Sequence, residues 1–599
     1  MCGFIGQLSF EKVDIENLEN VNNHIICRGP DNRTVFTKEY ENYQLNLIFN
    51  RLAIVDLSES ANQPMFSKNK NTILLFNGEI YNHRELRVEL ESKGVKFTTS
   101  HSDSETVLNG LDYFGIEFVK KLRGQFAIVY IDNNDKKMYF IRDRLGQKPL
   151  FYHISHNCVS FSSNLKSLLE NEKNYTLSTD QINNYINYGI INSPKTLFDN
   201  FYKVKPAEII EINFKNRLIK NSSHIYWNIE DYVDNNKFNE DSFHQIFTDS
   251  VSLRSNADVP VASFLSGGID STSIIKNQFE NDLDVNSFSV YIGNQKYDER
   301  QYIKQVVDKY SLNHTSIELT EDISIDDIFK ALSILDEPYS DPSVVPSFLL
   351  SREISKNYKV AISGDGGDEL LGGYTRTYKT MNDDYLNPFV ANFLFRLFPG
   401  FIGTGGELMS KSKNLEDSYR SLLEDSKLLN LLKIKSEQYQ FMDHLKESNN
   451  IYKSLLISDY RFYLPEMMMY KIDRTSMASS VEVRSPFVDH KIIEYVISHD
   501  TNYFDKQISK KVLKNYLKSD FSDEFINRSK QGFIFNVEDW VYGNLSLIED
   551  IFKSGTVVNN LNPNILKILS INKSRINGQR IWKLFVLENY LNFNFNKSS

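Results

Sequence analysis

The stretch Phe264-Leu265-Ser266-Gly267-Gly268-Ile269-Asp270-Ser271-Thr272-Ser273 decides how this chain is read. The run before it, Val259-Pro260-Val261-Ala262-Ser263-Phe264-Leu265, is short, apolar and partly β-branched, as a buried strand is. Ile274 to Phe279 after it has helical character. Leu265, Ser266, Gly267, Gly268, Asp270 and Ser271 therefore surround a strand-to-helix turn. There backbone N–H groups can approach an anion closely, and the helix N-terminus adds its positive end. Ser266, Ser271 and Thr272 supply hydroxyl donors. Asp270 suits such a cradle only if a cation sits between it and the anion. The turn reads as a phosphate or pyrophosphate site with Mg²⁺, and it lacks the lysine of the common P-loop. Taken alone, the same residues also fit an ordinary strand-to-helix turn.

At 599 residues the chain exceeds one hydrophobic core, so two or more domains are expected. Its 41% hydrophobic and 24% charged residues are those of a globular protein. A net charge of −10 offers no footprint for nucleic acid or an anionic membrane. No apolar run approaches a bilayer span, and no secretory leader pattern opens the chain. Cys2, Cys27 and Cys158 have neither metal-ligand spacing nor a disulfide framework, which suits a reducing, cytoplasmic setting.

A small residue follows the initiator Met, so Met removal would expose Cys2. An N-terminal cysteine carries nucleophile and base together: the thiol attacks and its own α-amine takes the proton. Further along stand Arg28-Gly29-Pro30-Asp31, a turn, and Arg51-Leu52-Ala53-Ile54-Val55-Asp56-Leu57, read as a strand opening on a cation. Asn77-Gly78-Glu79-Ile80 follows the apolar run Ile73–Phe76, and Ser102-Asp103-Ser104-Glu105 precedes a helix. Together these suit the cleavage of an amino acid's side-chain amide. Arg51 can pair with an α-carboxylate. Glu79 or Asp103 can receive an α-ammonium. Asn77 and the Gly78 N–H can serve an oxyanion. Each alone also fits a turn residue or a solvated charge.

These motifs, with Arg142-Asp143-Arg144-Leu145-Gly146-Gln147-Lys148-Pro149, resemble the class II glutamine amidotransferases, whose nucleophile is N-terminal. With the Ser266 turn downstream, the chain resembles the glutamine-hydrolysing asparagine synthetases. The resemblance implies an α/β protein: a four-layer αββα N-terminal-nucleophile hydrolase domain over 1–205, a junction over 206–239 and a synthetase domain over 240–599. The last would have a mainly parallel α/β fold of the adenine nucleotide α-hydrolase type with extra helices. It implies that Cys2 forms a glutamyl thioester and releases ammonia, with Arg51, Leu52, Ala53, Ile54, Val55, Asn77, Gly78, Glu79 and Asp103 around the glutamine. Two positions depart from the family pattern. Cys27 stands where a His usually precedes Arg-Gly-Pro-Asp, and Phe49-Asn50 stand where a Gly-His pair usually lies shortly before Arg-Leu.

In parallel α/β sheets ligands bind at the carboxyl ends of strands. Ser287–Ile292 reads as the next strand, with Ser289 and Val290 bordering an adenosine in the family's arrangement. Val360–Ile362 leads into a second acidic glycine turn, Ser363-Gly364-Asp365-Gly366-Gly367-Asp368-Glu369. Two such turns make sense if they share Mg²⁺ bound to ATP phosphates, with Asp270 and Asp368 as ligands. Ser363 and Gly364 join the ATP-binding set, and Asp365 lies where acceptor or ammonia chemistry would occur. Residues 382–460 read as helical and polar, and 473–478 and 482–489 as scaffold beneath the site. In Arg528-Ser529-Lys530-Gln531-Gly532-Phe533, the family pattern makes Lys530 a catalytic residue at the α-phosphoryl group.

The resemblance thus implies ATP-dependent amidation of a carboxylate through an acyl-adenylate. Ammonia would pass through a tunnel between the domains, and aspartate would be the acceptor. Many family members carry Glu at the position of Asp365, so another carboxylate, such as an envelope precursor or a uronic acid, is the alternative. A non-catalytic glutamine-sensing relic is a third reading. A homodimer is a further expectation of the family.

Overall fold

In the computed structural model, the structure describes residues 2–292, 299–319, 323–380, 386–411, 414–437, 439, 450–500, 509–528 and 535–595. Its N-terminal part stacks two antiparallel six-stranded sheets. The first runs in the order Phe201–Lys203, Phe151–Ile154, Cys158–Ser162, Gly3–Ser9, Gln44–Arg51, Asn32–Glu39. The second runs Lys220–Ile225, Glu208–Asn213, Lys137–Arg142, Gly124–Asp132, Thr72–Ile80, Met65–Phe66. It therefore draws two strands from beyond residue 205.

Alternation along each strand explains the layering. Phe4, Leu8, Leu45, Leu47 and Phe49 of the first sheet meet Ile73, Leu75, Val129 and Ile131 of the second in one core. The opposite residues, Leu74, Phe76, Ile80, Phe126 and Ile128, pack on the helices His83–Ser92 and Asp103–Phe114. Ile5 and Ile48 face the other way, onto Leu18 and Val21 of helix Glu16–Val21. The result is helix, sheet, sheet, helix. The same alternation carries Asn77 and Glu79 onto the face of Ile73 and Leu75, where the inter-sheet core opens toward Cys2.

The C-terminal part holds a five-stranded parallel sheet in the order Asn313–Leu319, Asn286–Ile292, Val261–Phe264, Val360–Ile362, Glu482–Arg484, with helices packed around it. Val261–Phe264 and Val360–Ile362 are neighbours, with Ser263 opposite Ile362. That register brings the two acidic glycine turns side by side at the carboxyl edge.

Two expectations for local structure change. Residues 52–57 are not a strand: the strand Gln44–Arg51 ends at Arg51. The Arg51 guanidinium collects the carbonyls of Val55, Asp56 and Ser58, and this curls the chain into a loop, with Asp56 at φ 52°. The helix Pro388–Leu397, within the stretch read as polar, exposes Phe389, Phe393 and Leu397.

Candidate active sites and the interface between them

In the N-terminal half the backbone N–H of Cys2 donates to Asn77 Oδ1 at 3.0 Å. This fixes the Asn77 amide, whose Nδ2 is buried with no partner among the described residues. Cys2 itself is buried. Burial pushes its thiol up, while the Leu52 N–H and the Arg51 cation act in the opposite direction. A fixed, unpartnered donor beside a nucleophile is what a developing oxyanion requires.

Asp103 opens the helix Asp103–Phe114 behind the Ser102 cap and accepts from Ile80 N at 3.2 Å and Ser104 N at 2.7 Å. Burial pushes its carboxyl up. Glu79 is buried as well and pairs with Arg484 of the C-terminal half at 3.2 Å. Burial outweighs that cation, and the Glu79 carboxyl lies well above the usual range. The Arg51 Nη1 donates to Ser58 O at 2.8 Å and to Asn62 Oδ1 at 2.9 Å, and its Nη2 to Val55 O and Asp56 O. Pairing with a substrate carboxylate would exchange some of those acceptors. Leu52 and Ile54, with Val55 at their edge, pack on Val360 and Met477 of the C-terminal half, and the Ala53 N–H donates to Asp31. The loop 52–55 is thus a seam between the halves as much as a rim of the cysteine site.

In the C-terminal half Leu265 is buried and its N–H donates to Phe288 O at 2.7 Å. Ser266 and Ser271 exchange hydrogen bonds at 3.1–3.2 Å across the turn, and Gly268 N donates to Ser266 Oγ at 3.3 Å. Arg528 ties Gly267 O at 2.9 Å to Glu299 at 2.9 Å. Ser289 meets His314 Nε2 at 2.9 Å, and Val290 packs on the large C-terminal core. The second turn touches the first. A Cβ on Gly364 would stand 3.0 Å from Asp270 Cβ, and one on Gly367 would stand 2.7 Å from Asp270 Oδ1. Only glycine at both positions lets the turns approach this closely.

Asp270 and Asp368 are brought together, and Lys510 bridges them. Its Nζ pairs with Asp270 Oδ2 and lies 2.6 Å from Asp368 Oδ1. Burial would push the Lys510 ammonium down, but the two carboxylates hold it above the ordinary lysine range. No sequence signal marked Lys510, which reads as one of several solvated lysines before a helix. Asp365 is held by Ser363 Oγ, donating to its Oδ2 at 2.6 Å, and by Ser485 Oγ, donating to its backbone carbonyl. Lys530 lies outside the described residues.

The stretches 473–478 and 482–489 lie between the two sites rather than beneath one of them. Asp473 accepts both Arg28 Nη1 and Nη2, at 2.8 and 3.0 Å, while Arg28 Nε donates to Cys2 O at 3.2 Å. Arg484 holds Glu482 at 2.6 Å and Glu79 at 3.2 Å. Asp489 takes Arg254 at 2.6 Å and Arg123 of the N-terminal half at 2.8 Å. All of these carboxylates and cations are buried. Such pairs do little for net stability but are costly to break, so they fix how the halves register.

Between the two half-sites lies a small pocket lined by Gln125, Gln147 and Lys148 from one half and Ser363, Asp473 and Ser485, among others, from the other. Gln125 is the cross-strand partner of Glu79, and Ser363 and Ser485 are the two serines that hold Asp365. Among the described residues no three-residue metal cluster is found, and no helix is long and apolar enough to cross a membrane.

Residues 1–227 match the glutamine amidotransferase domain and residues 242–591 match asparagine synthase. The chain belongs to the asparagine synthase family. It is 28% identical to asparagine synthetase (glutamine-hydrolyzing) 1 of Bacillus subtilis, over 90% of this chain and 88% of that one. A Methanocaldococcus jannaschii protein named putative asparagine synthetase (glutamine-hydrolyzing) 2 is 32% identical, over 78% of this chain and 92% of its own length. The amidase chry2 of Gibberella zeae is 26% identical over 89% and 86%. This is a glutamine-dependent amidotransferase of asparagine-synthetase type, and its family uses ATP.

Proposed function

We propose that the chain makes asparagine from aspartate, glutamine and ATP. The observation that supports the reading is that Cys2 with its Asn77 donor in one half and the two touching acidic glycine turns in the other are tied together by buried ion pairs, with a small pocket lined from both halves between them.

With Met1 removed, the Cys2 α-amine takes the thiol proton, and the thiolate attacks the side-chain amide carbonyl of glutamine. Asn77 Nδ2 and the Gly78 N–H stabilise the oxyanion. The C–N bond breaks, ammonia leaves with the proton, and water later releases glutamate from the thioester. Arg51, the loop 52–55, Glu79 and Asp103 hold the amino acid's two charged ends.

In the other half the acceptor carboxylate attacks the α-phosphorus of ATP, giving an acyl-adenylate and pyrophosphate. Ammonia then attacks the acyl carbon and AMP departs. Leu265, Ser266, Gly267, Gly268, Ser271, Ser363 and Gly364 would cradle the phosphates, with Ser289 and Val290 beside the adenosine. Lys530 would meet the charge as pyrophosphate leaves. Asp270 and Asp368 fit Mg²⁺ by their chemistry: two carboxylates converge on one point, where Lys510 Nζ now supplies the positive charge. When bound, Mg²⁺ would neutralise phosphate charge there. Passage between the halves, out of bulk water, would keep ammonia undiluted and unprotonated, an effective-concentration advantage.

Asp365 favours one second reading. It is a methylene shorter than the Glu many family members carry, so the acceptor could be a different carboxylate acted on by the same mechanism. Incubating the protein with glutamine, Mg-ATP and aspartate separates the two. Asparagine, AMP and pyrophosphate in equal amounts support aspartate. Glutamate release with neither asparagine nor aspartate-dependent AMP sends the search to other carboxylates.

A further inference from the structure

Among the buried lysines that the structure describes, all but one rest the ammonium on a carboxylate or a backbone carbonyl, as Lys203 does on Glu337 and Lys510 on Asp270 and Asp368. The exception is Lys471, 9% exposed. Its Nζ donates to Ser343 Oγ at 3.1 Å and has no other hydrogen-bond or ion-pair partner among the described residues. The Ser343 N–H is taken by Asp341 Oδ1 at 2.9 Å, which leaves the hydroxyl to the lysine. An ammonium carries three N–H donors, so two are unused here. A buried cation in that state is costly unless an anion meets it.

The fold puts this pair at the synthetase site. Helix Val344–Ile354 leads into strand Val360–Ile362, and helix Tyr470–Met477 leads into strand Glu482–Arg484. The two strands are parallel neighbours. A helix that feeds a parallel strand through a short connection starts at the carboxyl edge of the sheet. Ser343, just ahead of the first helix, and Lys471, in the first turn of the second, therefore meet at the edge that carries the acidic glycine turns. Met469 and Ile472, on either side of Lys471 in the chain, line one pocket with Ser363 and Ser485, the serines that hold Asp365.

We propose that Lys471 and Ser343 bind the acceptor's second carboxylate, the one that is not amidated. The proposal rests on the amidation reading above and names the group that selects the acceptor. For aspartate that group is the α-carboxylate, joined through two carbons to the reacting β-carboxylate. Lys471 donates to it through its unused N–H bonds. Ser343 can turn its hydroxyl hydrogen to the same anion while its lone pair keeps the lysine. A dianionic acceptor must approach the phosphates of ATP, and a fixed cation at its far end offsets that repulsion. A simple uronic acid has one carboxylate, the one that reacts, and brings nothing to this cation. Lys471 thus favours aspartate over the uronic acid of the second reading.

The test gives the full-length protein ammonium chloride, Mg-ATP and either L-aspartate or L-isoasparagine, whose α-carboxylate is a neutral amide and whose β-carboxylate is intact. Pyrophosphate release is followed against acceptor concentration, so the glutaminase half does not enter. For the natural protein aspartate should be favoured about tenfold or more in kcat/KM, the worth of a hydrogen bond to a charged group. Lys471→Met should raise the aspartate KM by a similar factor, bring the preference down to about twofold, and leave the KM for ATP and glutamate release from glutamine unchanged. Lys471→Arg should restore most of the preference, and Ser343→Ala should lose part of it. A lysine that only supports the fold would lower turnover of both acceptors alike and keep the preference, which would overturn the proposal. Natural protein that uses isoasparagine as well as aspartate would also overturn it, with the amidation reading intact and no variant needed. Natural protein that uses neither acceptor would overturn the aspartate reading, and the proposal with it.

Discussion

The Cys2 N–H donates to Asn77 Oδ1 at 3.0 Å, and the other end of that amide, Nδ2, is buried without a partner among the described residues. One hydrogen bond thus aims a donor at the space beside the thiol. Replacing Asn77 by Ala should lower glutamine hydrolysis by about 10²–10³-fold, the usual cost of one oxyanion donor. Cys2→Ala should abolish it while ammonia-dependent, ATP-driven amidation survives. Glutamate release by Cys2→Ala would remove Cys2 from the mechanism.

The closeness of the two acidic turns depends on missing side chains. Gly364→Ala would place a methyl 3.0 Å from Asp270 Cβ and 3.1 Å from Ser271 N. Strain of about 1–3 kcal/mol is expected, enough to slow aspartate-dependent AMP formation about tenfold or more. Glutamine hydrolysis should stay within about twofold. AMP formation at the natural rate would show that the turns need not touch.

Lys510 stands between Asp270 and Asp368 where a bound cation is proposed. Lys510→Met leaves the buried Asp368 and the half-buried Asp270 without their shared cation and should cost about 3–5 kcal/mol. Millimolar Mg²⁺ should recover much of that loss if the carboxylates bind it. Thermal unfolding with and without Mg²⁺ reads this directly, and a variant indifferent to Mg²⁺ would count against the metal assignment.

Burial pushes the Glu482 carboxyl up, but Arg484 and other nearby cations outweigh burial and hold it at about 2, below its ordinary 4.5. A depressed acid stabilises the fold fully above its unfolded value and loses that contribution as pH falls through its folded one. Stability should therefore decline between about pH 4.5 and 2, more steeply in the natural protein than in Glu482→Gln. Urea midpoints across that range would show the two slopes, and parallel slopes would contradict the assignment.

Asp473 receives Arg28 on both oxygens, with Lys148 beside it. Asp473→Asn should cost about 3–5 kcal/mol by stranding buried cations. It should also loosen the register of the halves, seen as a lower asparagine-to-glutamate ratio. A midpoint and a ratio both equal to the natural protein's would show that the network does not set the register.

Much of the fold was legible because it rests on local signals. Gly3-Phe4-Ile5, Ile73–Phe76, Ser287–Ile292 and Val360–Ile362 alternate or run apolar as strands do, and Ser102 marks a helix start. The loop 52–57 misled because its residues are strand formers. What bends it is a guanidinium collecting their carbonyls, an event that propensity does not record.

Sequence by itself determined which chemistries are available: a cysteine at position 2, an Asn-Gly pair after an apolar run, and two glycine turns carrying acids. These follow from residue type and short spacing, which act over a few bonds. Only the tertiary structure decided what those groups face. Lys510 reaches Asp270 across 240 positions, Arg28 reaches Asp473 across 445, and Gln125 and Lys148 share a cavity wall with Ser363 and Ser485. Contacts of that kind are set by how strands register and layers stack. Their physical consequence, a buried charge paired or a buried donor left waiting, exists only once water has been excluded.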